Sequence, residues 1–193
     1  MRPSTAPTLR LAALLLTASA SAQPAEDWRT LEPAAGLALP LSDGFALWEA
    51  GPGGALRLEA PAYGGHARLA LRIAAYAPER DGLPSFVAAF PTLGWGPALR
   101  LPGGAALRAG PHVGAVHLRF EAAEGFGGNL QNETELAVGA WARLEAPVAG
   151  RLRAWAEAEV LRAALADPAT LATASAGLAV RLDTPRWLRS VLR

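Results

Sequence analysis

Residues 132–161 read NETELAVGAWARLE, then APVAG, then RLRAWAEAEVL, and the alternation within them decides the fold. In the first arm Glu133, Glu135, Ala137, Gly139, Trp141, Arg143 and Glu145 share one parity, and Thr134, Leu136, Val138, Ala140, Ala142 and Leu144 share the other. The second arm sets Arg151, Arg153, Trp155, Glu157 and Glu159 against Leu152, Ala154, Ala156, Ala158 and Val160. Side chains of a strand point alternately to its two faces, so each arm carries one charged face and one apolar face. The alanines favour helix. On a helix, however, Arg151, Arg153, Glu157 and Glu159 would scatter around the axis at about 100° per residue. Alternation sustained over both arms is a strand pattern.

Working outward, residues 1–22 are expected to be a secretory signal peptide. Arg2 and Arg10 are basic, residues 11–16 form a short apolar core, and Ala20-Ser21-Ala22 fits a small-x-small cleavage site. That core is too short to span a bilayer, which takes roughly 20 apolar residues. Cleavage there removes two arginines and turns the formal charge of +1 into −1, a near-balance that argues against a nucleic-acid partner. All 18 basic residues are arginine, and the absence of cysteine excludes disulfides and thiolate metal sites. No later segment is long and apolar enough for a membrane-spanning helix, yet half the chain is apolar. A closed barrel is the other structure that satisfies its backbone groups in lipid.

Residues 23–42, rich in Pro and Ala, are expected to be a loosely structured N-terminal segment, and residues 43–183 the barrel. The expected strands are 44–50, 55–62, 66–76, 85–100, 105–121, the two arms above, and 171–182. Gly51-Pro52-Gly53-Gly54 reads as a turn between the first two. Arg108 and His112 are even while His117, Arg119 and Glu121 are odd, so a bulge is expected near Gly114. Pro61, Pro91, Pro97 and Pro111 threaten the ladders, because proline cannot donate to them. Connections after the second, fourth and sixth strands are short (YGG, LPGG, APVAG) and the others longer, GPGG excepted. Short periplasmic turns alternating with longer outer loops mark outer-membrane barrels. Residues 184–193 read as a short amphipathic helix, capped by Thr184 with Pro185 in its first turn.

In this pattern the chain resembles the small, porin-like outer-membrane β-barrel proteins. Ser175-Ala176-Gly177-Leu178-Ala179-Val180-Arg181-Leu182 is similar to their assembly signal, in which Ser175, Gly177, Val180 and Leu182 take the polar, glycine and two hydrophobic positions. It departs in ending on Leu182 rather than an aromatic residue, and in not closing the chain. The resemblance implies an all-β, eight-stranded, antiparallel, up-and-down transmembrane barrel in a Gram-negative outer membrane. It implies outer-membrane lipid and the barrel-assembly machinery as partners, and a monomer.

A soluble periplasmic, lipocalin-like barrel would put the charged face in water. The lipid reading puts it in the lumen, with Arg57, Glu59, Arg68, Arg72, Glu133, Glu135, Arg143, Glu145, Arg151, Arg153, Glu157, Glu159 and Arg181 pairing there, because an unpaired buried charge is costly. The task is then structural or interactive, through the outer loops. An outer-membrane lipid-modifying enzyme is the second alternative. His66, His112 and His117 show neither the spacing of a triad nor that of a zinc site, so no catalytic residue, metal or cofactor is expected. Charge alternation in the hairpin favours a register with Arg143 opposite Trp155 and Trp141 opposite Glu157, over one with Arg143 opposite Arg153.

Overall fold

The computed structural model describes residues 28–42, 44–45, 47–121, 132–165 and 168–191. The expected signal peptide, the loop at 122–131 and the last two residues lie outside them. The strands are β1 (Thr30–Pro40), β2 (Trp48–Ala62), β3 (Gly65–Pro78), β4 (Phe86–Gly96), β5 (Ala98–Arg100), β6 (Ala106–Phe120), β7 (Glu133–Ala149), β8 (Leu152–Ala163), β9 (Ala169–Val180) and β10 (Leu182–Asp183), followed by a helix, α1 (Arg186–Val191). Neighbours pair antiparallel in chain order, and β1 closes on β9 from Ala34↔Ala179 to Pro40↔Thr173. The short β5 and β10 extend β4 and β9 along β6 and β1, so the wall has eight staves. Closure leaves no edge unpaired, which a strand in lipid requires.

The count of eight was legible, but two staves were misassigned. Residues 30–40, expected to be loose, form β1 and pair on both sides. Residues 44–50 and 55–62, expected as two strands, fall in one region: β2 runs straight through Gly51-Pro52-Gly53-Gly54. The register of β2 on β3 shifts between Ala50 and Gly53, so the Gly/Pro cluster is a bulge and not a turn. With GPGG inside a strand, the connections at one end (63–64, 101–105 and 150–151) span two to five residues and those at the other (41–47, 79–85, 121–132 and 164–168) five to twelve. The short ones define a turn end. Tyr63 and Gly64 there both have positive φ, as a two-residue type I′ hairpin demands.

The expected bulge at Gly114 is absent. β6 pairs with β7 in one unbroken register, Ala106↔Glu145 to Leu118↔Glu133. Even residues point inward throughout, burying Arg108, His112, Val116 and Leu118. His117 and Arg119 are odd because they point outward, near the loop end. The prolines interrupt ladders without shortening strands. Pairing of β4 with β6 skips Phe90–Pro91 and the stretch around Pro97, while Pro61 and Pro111 stay in paired strands. Thr184 does not cap α1. Its hydroxyl is buried without a protein partner, and its N–H donates to the Arg29 carbonyl at 2.9 Å.

The hairpin takes neither weighed register. Trp141 faces Glu159, Arg143 faces Glu157, Glu145 faces Trp155 and Pro147 faces Arg153. The strands continue past Pro147 to a tight turn at Gly150-Arg151, where Gly150 has φ +52°. The chain thus turns four residues beyond Ala146, the start of the expected turn.

Candidate functional site

The parity of the strands fixes which side chains enter the barrel. Leu37, Leu56, Leu69, Ile73, Val87, Leu93, Val113, Leu136, Val160 and Leu178 all face outward and are exposed. The charged parity is inside. This inverts a soluble barrel, so the lipocalin-like alternative fails: an outer face of leucine and valine is matched to hydrocarbon, not water. Near the turn end Trp28, Tyr63, Trp95 and Trp187 form an outer aromatic group. Trp28 meets Tyr63 edge to face, and the Trp95 indole donates to the Ala62 carbonyl at 2.9 Å. Aromatic girdles of this kind sit at the level of lipid headgroups.

The lumen is layered along its axis. At the loop end it is apolar, with Tyr76 stacked on Phe86 (4.7 Å between centroids) and Phe45, Trp48 and Phe120 around them. Below this lies a middle tier. Arg57 reaches Glu157 at 2.7 Å, Arg68 bridges Glu157 and Glu159 at 2.9 and 3.0 Å, and Arg72 lies 3.6 Å from Glu159. Nearest the turn end is a third tier. Arg108 sits 2.8, 2.6 and 3.2 Å from Glu32, Glu59 and Glu145. Arg143, fully buried, meets the same three at 3.4, 2.6 and 3.0 Å. Arg153 pairs with Glu145, and Arg181 with Glu32 at 3.4 Å. Trp155 and Trp141 fill the remaining space as faces for Arg57 (4.0 Å) and Arg68 (4.8 Å).

Ten of the thirteen expected lumen residues therefore meet in this network. The other three do not. Glu133 and Glu135 lie on β7 beyond Ala137↔Ala163, the last pair it makes with β8, and are exposed. Arg151 is a turn residue, where strand parity ends, and it pairs outside the lumen with Asp183 at 3.0 Å. Two charged members were not anticipated: Glu32 lay in the segment read as loose, and Arg108 on the strand read as bulged. The pairing logic also differs from the expected one. Arg143 faces Glu157 across the ladder, but its hydrogen bonds go to Glu59, Glu145 and Glu32, while Glu157 takes Arg57 and Arg68. In so narrow a barrel long side chains reach across the lumen, and cross-strand partners lose their privilege.

The assembly-like residues divide by parity. Ser175 and Gly177 face inward, Ser175 accepting from Arg57 at 2.9 Å, and Val180 and Leu182 face lipid. The histidines sit apart. His66 is at the turn end, His112 lies within the lumen 3.6 Å from Glu159, and His117 is outside, hydrogen-bonded to Thr134 at 2.7 Å. Among the described residues no three His, Cys, Asp or Glu side chains group as a metal site.

A closed stave order, an apolar belt outside and charge within together decide the class. The fold is that of a small outer-membrane β-barrel. The barrel superposes on the attachment invasion locus protein Ail of Yersinia pestis in complex with the heparin analogue sucrose octasulfate, with TM-score 0.54 and 14% identity over 81% of this chain and 99% of that one. A second structure of Ail gives 0.52, 16%, 81% and 99%. Neisserial surface protein A gives 0.50 and 12%, over 80% of this chain and 96% of that one. No protein-family model matches the chain, and no curated protein does.

Proposed function

We propose that the barrel is a surface-interaction protein of the Gram-negative outer membrane, with its loop end outward, and neither a pore nor an enzyme. The observation that carries this reading is the filled lumen: interlocked Arg/Glu tiers topped by a layer of stacked aromatic rings. Eight staves leave an interior only wide enough for side chains. The barrel-assembly machinery would read β9 and β10 through Ser175, Gly177, Val180 and Leu182. Reconstituted in planar bilayers, the barrel is expected to give no single-channel steps. Regular conductance steps would replace this reading with a channel.

The loop end carries the partner's requirements. Among the described residues there, Glu49, Glu79, Asp81, Glu121, Glu133 and Glu135 outnumber Arg80, Arg119 and Arg162. Ail is seen with a heparin analogue, a polyanion; an acidic end suits a cationic partner instead. Cells displaying the barrel are expected to adhere to polylysine-coated beads severalfold better than cells displaying an E79Q/D81Q/E133Q/E135Q variant at equal surface level. Equal adhesion would sink the acidic-end reading.

A further inference from the structure

The opposite, turn end opens into a cavity of about 800 Å³. Arg29, Arg100, Arg108, Arg153, Arg181 and Arg189 line it, and Asp183 is the one carboxylate among the described residues that line it. These arginines come from both ends of the barrel sequence and from the turns: the start of β1, β5, β6, β8, the β9–β10 junction and α1. Asp183 is engaged by Arg151 at 3.0 Å. The floor of the cavity is the third tier of the lumen. Its four arginines (108, 143, 153 and 181) share three glutamates (32, 59 and 145), so it already carries an excess cation. Arg29 and Arg189 add to that excess at the rim.

Arg108 meets all three glutamates through Nη1. A concave, low-dielectric wall focuses the field of such a cluster on the space it encloses. Guanidinium forks match the oxygens of phosphate and carboxylate in pairs. The volume admits more than one such group.

We propose that this vestibule binds a compact polyanion, one bearing two or more phosphate or carboxylate groups, at the inner mouth of the barrel. Placement on the inner side of the membrane rests on the orientation proposed above; the binding does not, and the conductance measurement is independent of it. The anion can arrive free from the periplasm or as the headgroup of an anionic lipid in the inner leaflet.

The test uses the full barrel folded in phosphatidylcholine nanodiscs at low salt, titrated calorimetrically with tripolyphosphate and with citrate. Saturable one-to-one binding of at least one of them is expected, weakened at least tenfold in R29Q/R189Q and unchanged in E133Q at the loop end. Arg29 and Arg189 stand outside the buried tiers. Should the double variant lose the heat-shifted gel mobility of a folded barrel, R29Q alone serves, with a smaller but measurable loss. Repeating the titration in phosphatidylglycerol nanodiscs separates the sources. Suppressed tripolyphosphate binding there assigns the vestibule to a headgroup, and retained binding assigns it to a soluble anion. No saturable binding of either anion, or binding that the arginine substitutions leave untouched, overturns the proposal.

Discussion

Replacing Arg143 with leucine is expected to destabilise the folded barrel by about 3–5 kcal/mol, the cost of breaking a buried ion pair from one side. Arg143 is fully buried and holds Glu59 at 2.6 Å, Glu145 at 3.0 Å and Glu32 at 3.4 Å. Without it those three carboxylates share Arg108, Arg153 and Arg181, and the latter two reach them from the half-open rim. The loss is therefore mainly desolvated negative charge left short of a partner, rather than the worth of any single hydrogen bond. Arg143→Lys keeps the charge but not the fork that serves two carboxylates at once, so it should fall between wild type and R143L. R143L/E59L should cost less than the two single changes added together, because the second removes a charge that the first exposed. R151A, which breaks only the exposed pair with Asp183, should cost no more than about 1 kcal/mol. Urea unfolding in phosphatidylcholine vesicles, followed by tryptophan fluorescence, measures these variants and the E59L single change. R143L and R151A of equal stability would mean that the tiers contribute no specific pairing.

Parity was the legible part of this sequence, and it survives wherever a stave alternates strongly. β3 and β7–β8 place Arg68, Arg72, Arg143 and Glu157 inside and Leu69, Ile73, Leu144 and Val160 outside, as read. β1 was missed because its inward face is Glu32, Ala34, Gly36 and Ala38. That face is small because Trp155, two strands away, fills the space beside it. A strand whose side of the core is supplied by a neighbour's side chain leaves a faint pattern of its own. β6 was misjudged for the opposite reason. His117 and Arg119 made its charged residues change parity, and charge was assumed to mean lumen. Near the loop end an outward charge leaves the apolar belt, so it is tolerated there. The ion pairs themselves could not be read at all. Arg57 and Glu157 are 100 residues apart, and Arg143 and Glu32 are 111 apart. Closure of the ring sets those distances, and no local pattern encodes closure.

Closure can be tested at one residue. Gly177→Val is expected to abolish most of the folded barrel, read as loss of the species whose gel mobility shifts on heating. Gly177 stands opposite Gly36 on the β9–β1 seam and opposite Trp155 on β8, so the three lie in a row across the strands that close the ring. A Cβ on Gly177 would lie 2.0 Å from the Ala35 carbonyl oxygen and 2.5 Å from the Gly36 Cα, both backbone atoms that cannot swing aside. A Cβ on Gly36 would meet the Ala176 carbonyl oxygen at 2.2 Å and the Trp155 ring at 2.6 Å. The glycines thus let the seam close tightly beneath an indole that covers them, a device by which aromatic side chains stabilise glycines in sheets. The ring also carries Arg57 on its face at 4.0 Å, so displacing it would disturb the middle tier of ion pairs. Gly54→Val supplies the control: it is also a strand glycine, but a Cβ there meets nothing within 4 Å, and folding should be unchanged. Equal folding yields for the two variants would show that the seam tolerates a side chain at 177. The glycine of the assembly-like pattern would then serve recognition during assembly rather than the geometry of the closed ring.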